Sequence, residues 1–255
     1  QPAGYHQPRL AGASRRHVAA AVGAGKAELY HHLCAAPFQG EGGSYTLAKK
    51  YNIEIVEKEL TAEQIQARTQ RESMMALNEF AGRYFVNQLW KTEEGQSVGL
   101  SYFRERGFSD ATLQKFQLGY SLNQYRALSD QAIKSGFSAK LLTDLGLATR
   151  GDREQLTDRF RGRVIFPVHT LSGRIVAFGG RVLVQSDKTA KYVNSPETLI
   201  FKKSNVLFGF DRASRAIGKD SHCEVIVCEG QIDCIRLHSS GFANAVAGQG
   251  TAFTA

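Results

Sequence analysis

The sequence predicts an α+β fold, in which a mixed part of helices and strands is followed by a short α/β unit. Apolar residues recur at helical spacing from Thr61 to Gly146, and from Arg163 onwards they form continuous runs typical of strands. Three segments near the end read in turn as strand, helix and strand: "EVIVCEG", "QIDCIRLHSSG" and "NAVAGQG". The two strands are therefore expected to be parallel neighbours, and the first is expected to be buried.

The helical part is predicted to begin with one long amphipathic helix. Thr61 and Gln64 have the spacing of a capping box. The apolar positions that follow share helical spacing and are expected in the core: Met74, Leu77, Ala81 and Tyr84. Two shorter helices are predicted within "RGFSDATLQKFQLG" and "SGFSAKLLTDLG", each with a serine cap and a closing glycine.

The strands that follow are predicted to form a hairpin. The runs "RVIFPV" and "RIVAFGGRVLV" are strand-like, and "HTLSG" has the composition of the turn between them. Gly179 and Gly180 interrupt the second run, which indicates either a β-bulge or a place where another backbone or a ligand comes close.

The composition is that of a globular protein without a membrane segment. With 42% hydrophobic residues, the chain of 255 residues can bury one core or two small ones. Its apolar runs are shorter than the roughly 18 to 20 residues of a membrane span, and no signal peptide is recognisable, so a cytoplasmic location is expected. The four cysteines form no Cys-x-x-Cys pair, which argues against a zinc ribbon or a disulfide framework.

The net charge of +8 is concentrated in one segment. Between Arg150 and Lys203, eleven Lys and Arg residues stand against five Asp and Glu residues. Such an excess indicates a polyanionic partner, although a solvated basic face has the same composition.

Within this segment, "DRFRGR" places Arg159, Arg161 and Arg163 at alternate positions. As an extended strand it would project three guanidinium groups from one face, which suits a row of phosphates. Further candidates for phosphate or nucleotide contacts follow along the chain: Arg181, Lys191, Asn194 and Lys203.

The candidate catalytic residues are two acids around the end of the strand "EVIVCEG". Glu229 lies at the expected carboxyl end of a parallel strand, which is where ligands gather in α/β sheets. Gly230 allows a sharp turn, and Asp233 follows one helical turn later, so both carboxylates could share one cation. The alternative is a strand-end Glu and a first-turn Asp that do no more than complement the helix dipole.

Three long segments closely resemble the catalytic core of bacterial DNA primase, the DnaG type: "RFRGRVIFPVHTLSGRIVAFGGRVL", "KYVNSPETLIFKKSNVLFGFDRA" and "VIVCEGQIDCIRLHSSGFANAVAGQGTAFT". The resemblance runs from about Leu47 to Thr254 and is weakest before Arg71. It implies four parts: a non-matching Ala/Gly-rich segment 1–46, a connector 47–70, the N-terminal subdomain of the primase core 71–220, and a truncated Toprim fold 221–255.

The resemblance implies a nucleotidyltransferase of the primosome, a DNA-directed RNA polymerase that makes short RNA primers during DNA replication. Its partners would be a single-stranded DNA template, ribonucleoside triphosphates and a replicative helicase. Glu229 resembles the family's acid that helps bind catalytic Mg²⁺ or Mn²⁺, and Asp233 resembles the second acid of that motif. The family's basic ridge is matched by seven residues: Arg159, Arg161, Arg163, Arg181, Lys191, Asn194 and Lys203.

Three departures qualify the resemblance. The family usually has an aromatic residue after the Glu-Gly pair, where this chain has Gln231. The family's zinc-binding module is not recognisable in residues 1–46, so this segment does not support a structural Zn²⁺ site. The family's downstream Asp-x-Asp pair would follow Ala255, so the chain is expected to be a piece of a primase and inactive alone. A non-catalytic single-stranded DNA-binding fragment and another Toprim enzyme, a topoisomerase or nuclease, remain as alternatives.

Overall fold

The structure, a computed structural model, describes residues 61–151, 155–183, 190–218 and 224–249. These residues belong to one compact unit that begins at Thr61. Their mixture of helices with antiparallel and parallel strands confirms the predicted α+β fold. The predictions for residues 1–46, and for the connector up to residue 60, lie outside the described residues.

The described residues contain seven α-helices: α1 (Ala62–Lys91), α2 (Ser101–Glu105), α3 (Asp110–Lys115), α4 (Ala127–Lys134), α5 (Ala139–Asp144), α6 (Phe210–Ile217) and α7 (Gln231–Ser239). A π-helical turn spans Gly95–Leu100, and a 3₁₀ turn spans Lys203–Asn205. Among the helices that the structure describes, none combines the length and apolar content needed to cross a membrane.

The same residues contain eight strands: β1 (Gly119–Ser121), β2 (Ala148–Arg150), β3 (Leu156–Asp158), β4 (Arg163–His169), β5 (Ile175–Val182), β6 (Tyr192–Asn194), β7 (Ile226–Cys228) and β8 (Ala245–Ala247). Four of them form an antiparallel sheet in the order β1-β4-β5-β6. The others form an antiparallel pair, β2–β3, and a parallel pair, β7–β8.

Helix α1 confirms the predicted capping box, because the Thr61 hydroxyl accepts from the Gln64 N–H at 3.3 Å and the Gln64 side chain accepts from the Thr61 N–H at 3.0 Å. The first three turns are exposed, and burial begins at Met74. The predicted core positions Leu77 and Ala81 are also buried, but Tyr84 is only half-buried. Phe85 takes the next core position, since a residue four places after Ala81 continues the same face of a helix.

The two short helices begin at the predicted serine caps, but only one of them ends as predicted. Helix α5 closes at Gly146, whose φ is +64°. Helix α3 instead closes at Gln117, with φ +52°, and Gly119 lies in β1. A Cβ atom on Gly119 would lie 2.5 Å from the Cβ of Phe85, so the glycine permits the close approach of α1 to β1.

The four-stranded sheet separates two hydrophobic clusters. Val164 and Phe166 of β4 face one cluster, which includes residues of the β7–α7–β8 unit, while Ile165 faces the other, which includes α1, α4 and α5. Strand β4 is therefore buried along its whole length, which explains why its sequence is a continuous apolar run.

The predicted hairpin is confirmed, and the two readings of its glycine pair are resolved. Gly179 and Gly180 keep regular register opposite β4, and the irregularity lies instead at Val168/His169, so no bulge occurs at the glycines. A Cβ on Gly179 would lie 2.4 Å from Oε1 of Gln231, and one on Gly180 would lie 2.7 Å from Phe160. The glycines thus mark a close approach, and the approaching groups are side chains.

The β7–α7–β8 unit confirms the predicted parallel pair. The expectation of a buried first strand is wrong, because Val227 is 51% exposed and the other two residues of β7 are only half-buried. Among the described residues, β7 pairs with β8 alone, and the face that carries Val227 is left open.

Candidate functional site

The two candidate acids lie at the carboxyl edge of the parallel pair. Glu229 directly follows β7 and is exposed, and Asp233 lies exposed in the first turn of α7. A Cβ on Gly230 would lie 2.7 Å from Oδ2 of Asp233, so this carboxylate sits against the link that joins Glu229 to the helix. Glu229 and Asp233 are called the acid pair below.

Neither carboxylate of the acid pair makes a hydrogen bond or an ion pair with another described residue. The Asp233 charge does reach the neighbouring Cys228 thiol, whose pKa is raised first by burial and then by this carboxylate. Within the part of the chain that the structure describes, both acids are thus exposed oxygen donors without a protein partner. Such groups suit a hard divalent cation.

The arginine segment does not form the predicted extended row. Strand β3 ends at Asp158 and β4 begins at Arg163, and the residues between them form a turn. Gly162 has φ +60°, a left-handed conformation that breaks an extended strand. Arg159 and Arg161 therefore lie on a turn, and Arg163 points into the protein.

This turn is held in place from both sides. The side chain of Phe160 is 1% exposed and packs in the core. The buried carboxylate of Asp158 accepts from the N–H groups of Leu128 at 2.7 Å and Ser129 at 3.1 Å, and also from the Ser129 hydroxyl. Burial raises the pKa of Asp158, and these hydrogen bonds oppose that shift. The first turn of α4 is therefore tied to the residue that precedes Arg159.

Arg163 is a buried structural cation. Its guanidinium donates to the carbonyl oxygens of Ala190 at 2.8 Å and Lys191 at 3.2 Å. Burial, and then the charge of Arg159, hold its pKa below the ordinary value. Arg163 thus fixes the backbone that leads into β6 and presents no free donor fork at the surface.

Two other arginines lie against tyrosine rings. The Arg161 guanidinium lies 3.9 Å from the centre of the exposed Tyr125 ring. Arg181 donates to the Tyr102 hydroxyl at 2.5 Å and lies 5.6 Å from the centre of the exposed Tyr192 ring. Burial raises the pKa of Tyr102, and Arg181 opposes that shift, so the phenol remains neutral and accepts from the guanidinium.

The sheet register collects most of these groups at one end. Arg163 opposes Val182 in β5, and Arg181 opposes Tyr192 in β6. The turn before β4, the end of β5 and the residues before β6 therefore lie together. We call this the basic end, and its exposed or half-exposed cations are Arg159, Arg161, Arg181 and Lys191.

The remaining two predicted residues lie elsewhere. Asn194 ends β6, opposite Gly179, and its side-chain amide donates to the backbone oxygen of Gln249 at 3.4 Å. Lys203 lies in the 3₁₀ turn, half-buried, with its N–H donating to the Glu197 carboxylate at 3.1 Å. No described contact joins Lys203 to the basic end.

A polar seam joins the acid pair to the four-stranded sheet. The Gln231 side chain lies over Gly179 and donates to Oε1 of Gln249 at 3.3 Å. Gly179 is two residues from Arg181, or about 7 Å along β5. The loop and helix that carry the acid pair therefore dock beside the basic end, and the structure brings the two candidate groups to one region.

Sequence reasoning missed the aromatic and amide members of this region: Tyr102, Tyr125, Tyr192 and Gln249. The sequence "KYVN" does place Tyr192 next to Lys191, which is a signal for a stacking surface beside a cation. Tyr102, Tyr125 and Gln249 lie far along the chain from their partners, so no local spacing connects them.

An antiparallel sheet with a basic end, docked to a parallel unit with strand-end acids, offers cations that suit phosphates and carboxylates that suit a divalent ion. The family described as "DNA primase catalytic core, N-terminal domain" matches residues 84–214, about half of the chain. The chain belongs to this family, of the bacterial DnaG type.

Curated relatives support the assignment. The chain is 43% identical over 180 residues to the DNA primase of Deinococcus radiodurans, covering 70% of this chain and 30% of that protein. It is 37% identical over 210 residues to the DNA primase of Halalkalibacterium halodurans, covering 82% and 34%. The chain thus spans about a third of the length of these relatives.

Solved structures show the same fold. The RNA polymerase domain of Mycobacterium tuberculosis primase DnaG superposes with a TM-score of 0.67 at 36% identity, covering 72% of this chain and 59% of that one. The Escherichia coli primase catalytic core superposes with a TM-score of 0.63 at 30% identity, covering 71% and 56%. A DnaG primase catalytic domain bound to single-stranded DNA gives a TM-score of 0.65 at 29% identity, covering 73% and 58%.

Proposed function

We propose that this chain supplies part of the catalytic core of a primase, which makes short RNA primers on single-stranded DNA by metal-dependent nucleotidyl transfer. The observation that carries the proposal is the docking of the acid pair beside the basic end, through Gln231 over Gly179. Solved relatives support it, since one is described as bound to single-stranded DNA and another as bound to double-stranded DNA with a 6-nucleotide overhang.

The acid pair is proposed to hold Mg²⁺ or Mn²⁺. Magnesium takes one or two carboxylates and completes its shell with waters and substrate phosphates, so Glu229 and Asp233 fit a partial ligand set. In the part of the chain that the structure describes, no group of three His, Cys, Asp or Glu side chains has metal-binding geometry. When bound, a divalent cation would stabilise negative charge on the reacting phosphates.

The basic end is proposed to hold the template strand and the triphosphate. Arg181 and Lys191 would neutralise phosphates, and the exposed Tyr192 and Tyr125 rings would stack with bases. Arg163 would act indirectly, by fixing the backbone that carries Lys191. Ribonucleoside triphosphates, a replicative helicase and a cytoplasmic setting belong to this proposal as the family's expected partners and context.

Primer synthesis by a chimera tests the proposal. Residues 84–249 would replace the corresponding segment of the Deinococcus radiodurans primase, and ribonucleotide incorporation would be measured on a single-stranded template with Mg²⁺. We expect synthesis in the chimera, and a loss of at least about a hundredfold with Glu229→Gln, because the divalent cation proposed at the reacting phosphates loses a carboxylate ligand. A chimera that folds, binds template and incorporates nothing would contradict the proposal.

A non-catalytic template-binding role is the second candidate. It is favoured by the presence of only two acids at the described strand end, because a two-metal site needs more ligands. In that case the chain alone would bind single-stranded DNA with steep salt dependence, and Glu229→Gln would leave every measured property of the chimera unchanged.

A further inference from the structure

The seam between the acid pair and the basic end is built from side-chain amides. Gln249 is 3% exposed, accepts from Gln231 through its side chain, and accepts from Asn194 through its backbone. Its Nε2 has no hydrogen-bond partner among the described residues. Among the described residues, the Gln249 side chain therefore has its hydrogen bond with Gln231 alone.

Gln231 occupies space that a side chain on β5 would otherwise fill. A Cβ on Gly179 would lie 2.4 Å from Oε1 and 2.7 Å from Nε2 of Gln231. The Gln231 amide therefore lies directly on the β5 backbone at Gly179. Its own neighbours in the chain are Gly230 and Ile232, so the Gln231 backbone continues directly into the turn that carries Glu229.

We propose that Gln231 and Gln249 are positioning residues, which hold the acid pair against the basic end so that one nucleoside triphosphate contacts both. This inference rests on the proposed function and deepens it. The amide bridge replaces the aromatic packing that the resemblance leads one to expect at position 231. Because each amide is fixed by the other, the spacing between metal-bound and arginine-bound phosphates depends on this pair.

Three binding measurements on the same chain distinguish the basic end, the acid pair and the spacing between them. Binding of a fluorescent single-stranded DNA without metal reports on the basic end alone. Binding of Mn²⁺, followed through the electron paramagnetic resonance signal of the free ion, reports on the acid pair alone. Binding of ATP in the presence of Mn²⁺ needs both regions at the correct spacing.

Two variants remove the bridge by different routes. Gln231→Ala deletes the amide, and Gly179→Ala keeps the amide but displaces it, because the new methyl group meets the flexible end of the Gln231 side chain. We expect each to weaken Mn²⁺-dependent ATP binding about five- to tenfold, the range of one lost hydrogen bond. DNA binding, Mn²⁺ binding and the urea midpoint should each stay close to the parent value.

The double variant gives the decisive comparison. Since both substitutions remove the same bridge, the Gly179→Ala/Gln231→Ala protein should lose no more ATP affinity than either single variant. Gln114→Ala, an exposed helix position with no described side-chain hydrogen bond, is the matched control and should change none of the three measurements.

Unchanged ATP binding in both single variants would overturn the inference. So would additive losses, or an equal loss of Mn²⁺ or DNA binding, because these would indicate local damage instead of lost spacing. Glu229→Gln tests the proposed function independently: if Mn²⁺ binding survives this substitution, the acid pair is not the metal site, whatever the Gln231 variants do.

Discussion

The basic end and the acid pair differ in how far the protein itself satisfies their charges. Arg163 donates to two carbonyls, Arg161 lies on Tyr125, and Arg181 is bonded to Tyr102. The carboxylates of Glu229 and Asp233 make no such contact within the described residues. Arg161, Arg163 and Arg181 are therefore positioned before any ligand arrives, whereas the acids need a ligand to define their geometry.

The largest expected effect comes from the anchor of the basic end. Phe160 is buried against Phe85 and Phe178, with ring centres 6.4 and 6.3 Å away. Phe160→Ala should lower the unfolding free energy by about 3–5 kcal/mol, as measured by urea denaturation. Tyr125→Ala, at a ring that is 68% exposed, is the control. Equal costs for the two would mean that the arginine turn is not anchored in the core.

The second largest effect is expected from His169, at the opposite end of β4 from Arg163, as a pH dependence of the unfolding free energy. Burial, then the Arg212 charge, lower the pKa of His169 to about 4, while Asp211 opposes the shift. Between pH 4 and the unfolded pKa of about 6.5, the unfolded state binds more protons than the folded state. The contribution of His169 to the free energy of unfolding is therefore fully present above pH 6.5 and is lost as the pH falls towards 4. The fall should be about 3 kcal/mol.

Unfolding free energies measured across this pH range would show the slope. His169→Gln should remove most of it, because no titrating group then remains at that position. A variant with the full parental slope would assign the effect to other groups.

Arg163 and Arg161 should separate structural from binding cations. Arg163→Met should lower the unfolding free energy by about 2 kcal/mol, because two carbonyls lose a charged donor. Arg161→Met should cost less than about 1 kcal/mol, the range of an exposed cation–π contact. Thermal or urea unfolding of the two variants measures these losses of stability. A larger loss for Arg161→Met than for Arg163→Met would contradict the assignment of Arg163 as the structural cation.

Arg181 should act on template binding more than on folding. Arg181→Ala should weaken binding of single-stranded DNA and reduce the slope of log affinity against log salt by about 1. Fluorescence anisotropy titrations at several salt concentrations measure this slope. Arg104→Ala, at an exposed arginine paired with Asp110, is the matched control and should leave the slope unchanged.

The smallest effect on stability is expected at the acid pair. Glu229→Gln should change the unfolding free energy by no more than about 0.5 kcal/mol, since the carboxylate makes no described contact. The same variant should lose Mn²⁺ binding. A clear loss of stability would show that the Glu229 carboxylate makes stabilising contacts within the protein. The acid pair would then not differ from the basic end in this respect.

The sequence predicted helices and strands correctly where residues close together in the chain decide the structure. The capping box at Thr61 and Gln64, the Met74–Leu77–Ala81 face and the βαβ unit all follow from spacing alone. Gly119 was misread as a helix end because its role depends on Phe85, which reaches it only after α1 packs on β1.

The arginine segment shows the same limit at the site. Alternation of Arg159, Arg161 and Arg163 fits a strand, but the left-handed Gly162 and the buried Phe160 turn the chain instead. Composition correctly indicated a basic region. It could not indicate that Arg163 donates its hydrogen bonds to backbone carbonyls and is not available to a ligand.

The sequence by itself determined the α+β class, the order of the elements, and the strand-end position of Glu229 and Asp233, because periodicity, caps and turns act over a few residues. Only the tertiary structure decided which arginines are exposed, which tyrosines they meet, and that Gln231 docks on Gly179 beside the basic end. These contacts join residues far apart in the chain, and packing of the sheet and helices, not local propensity, selects them.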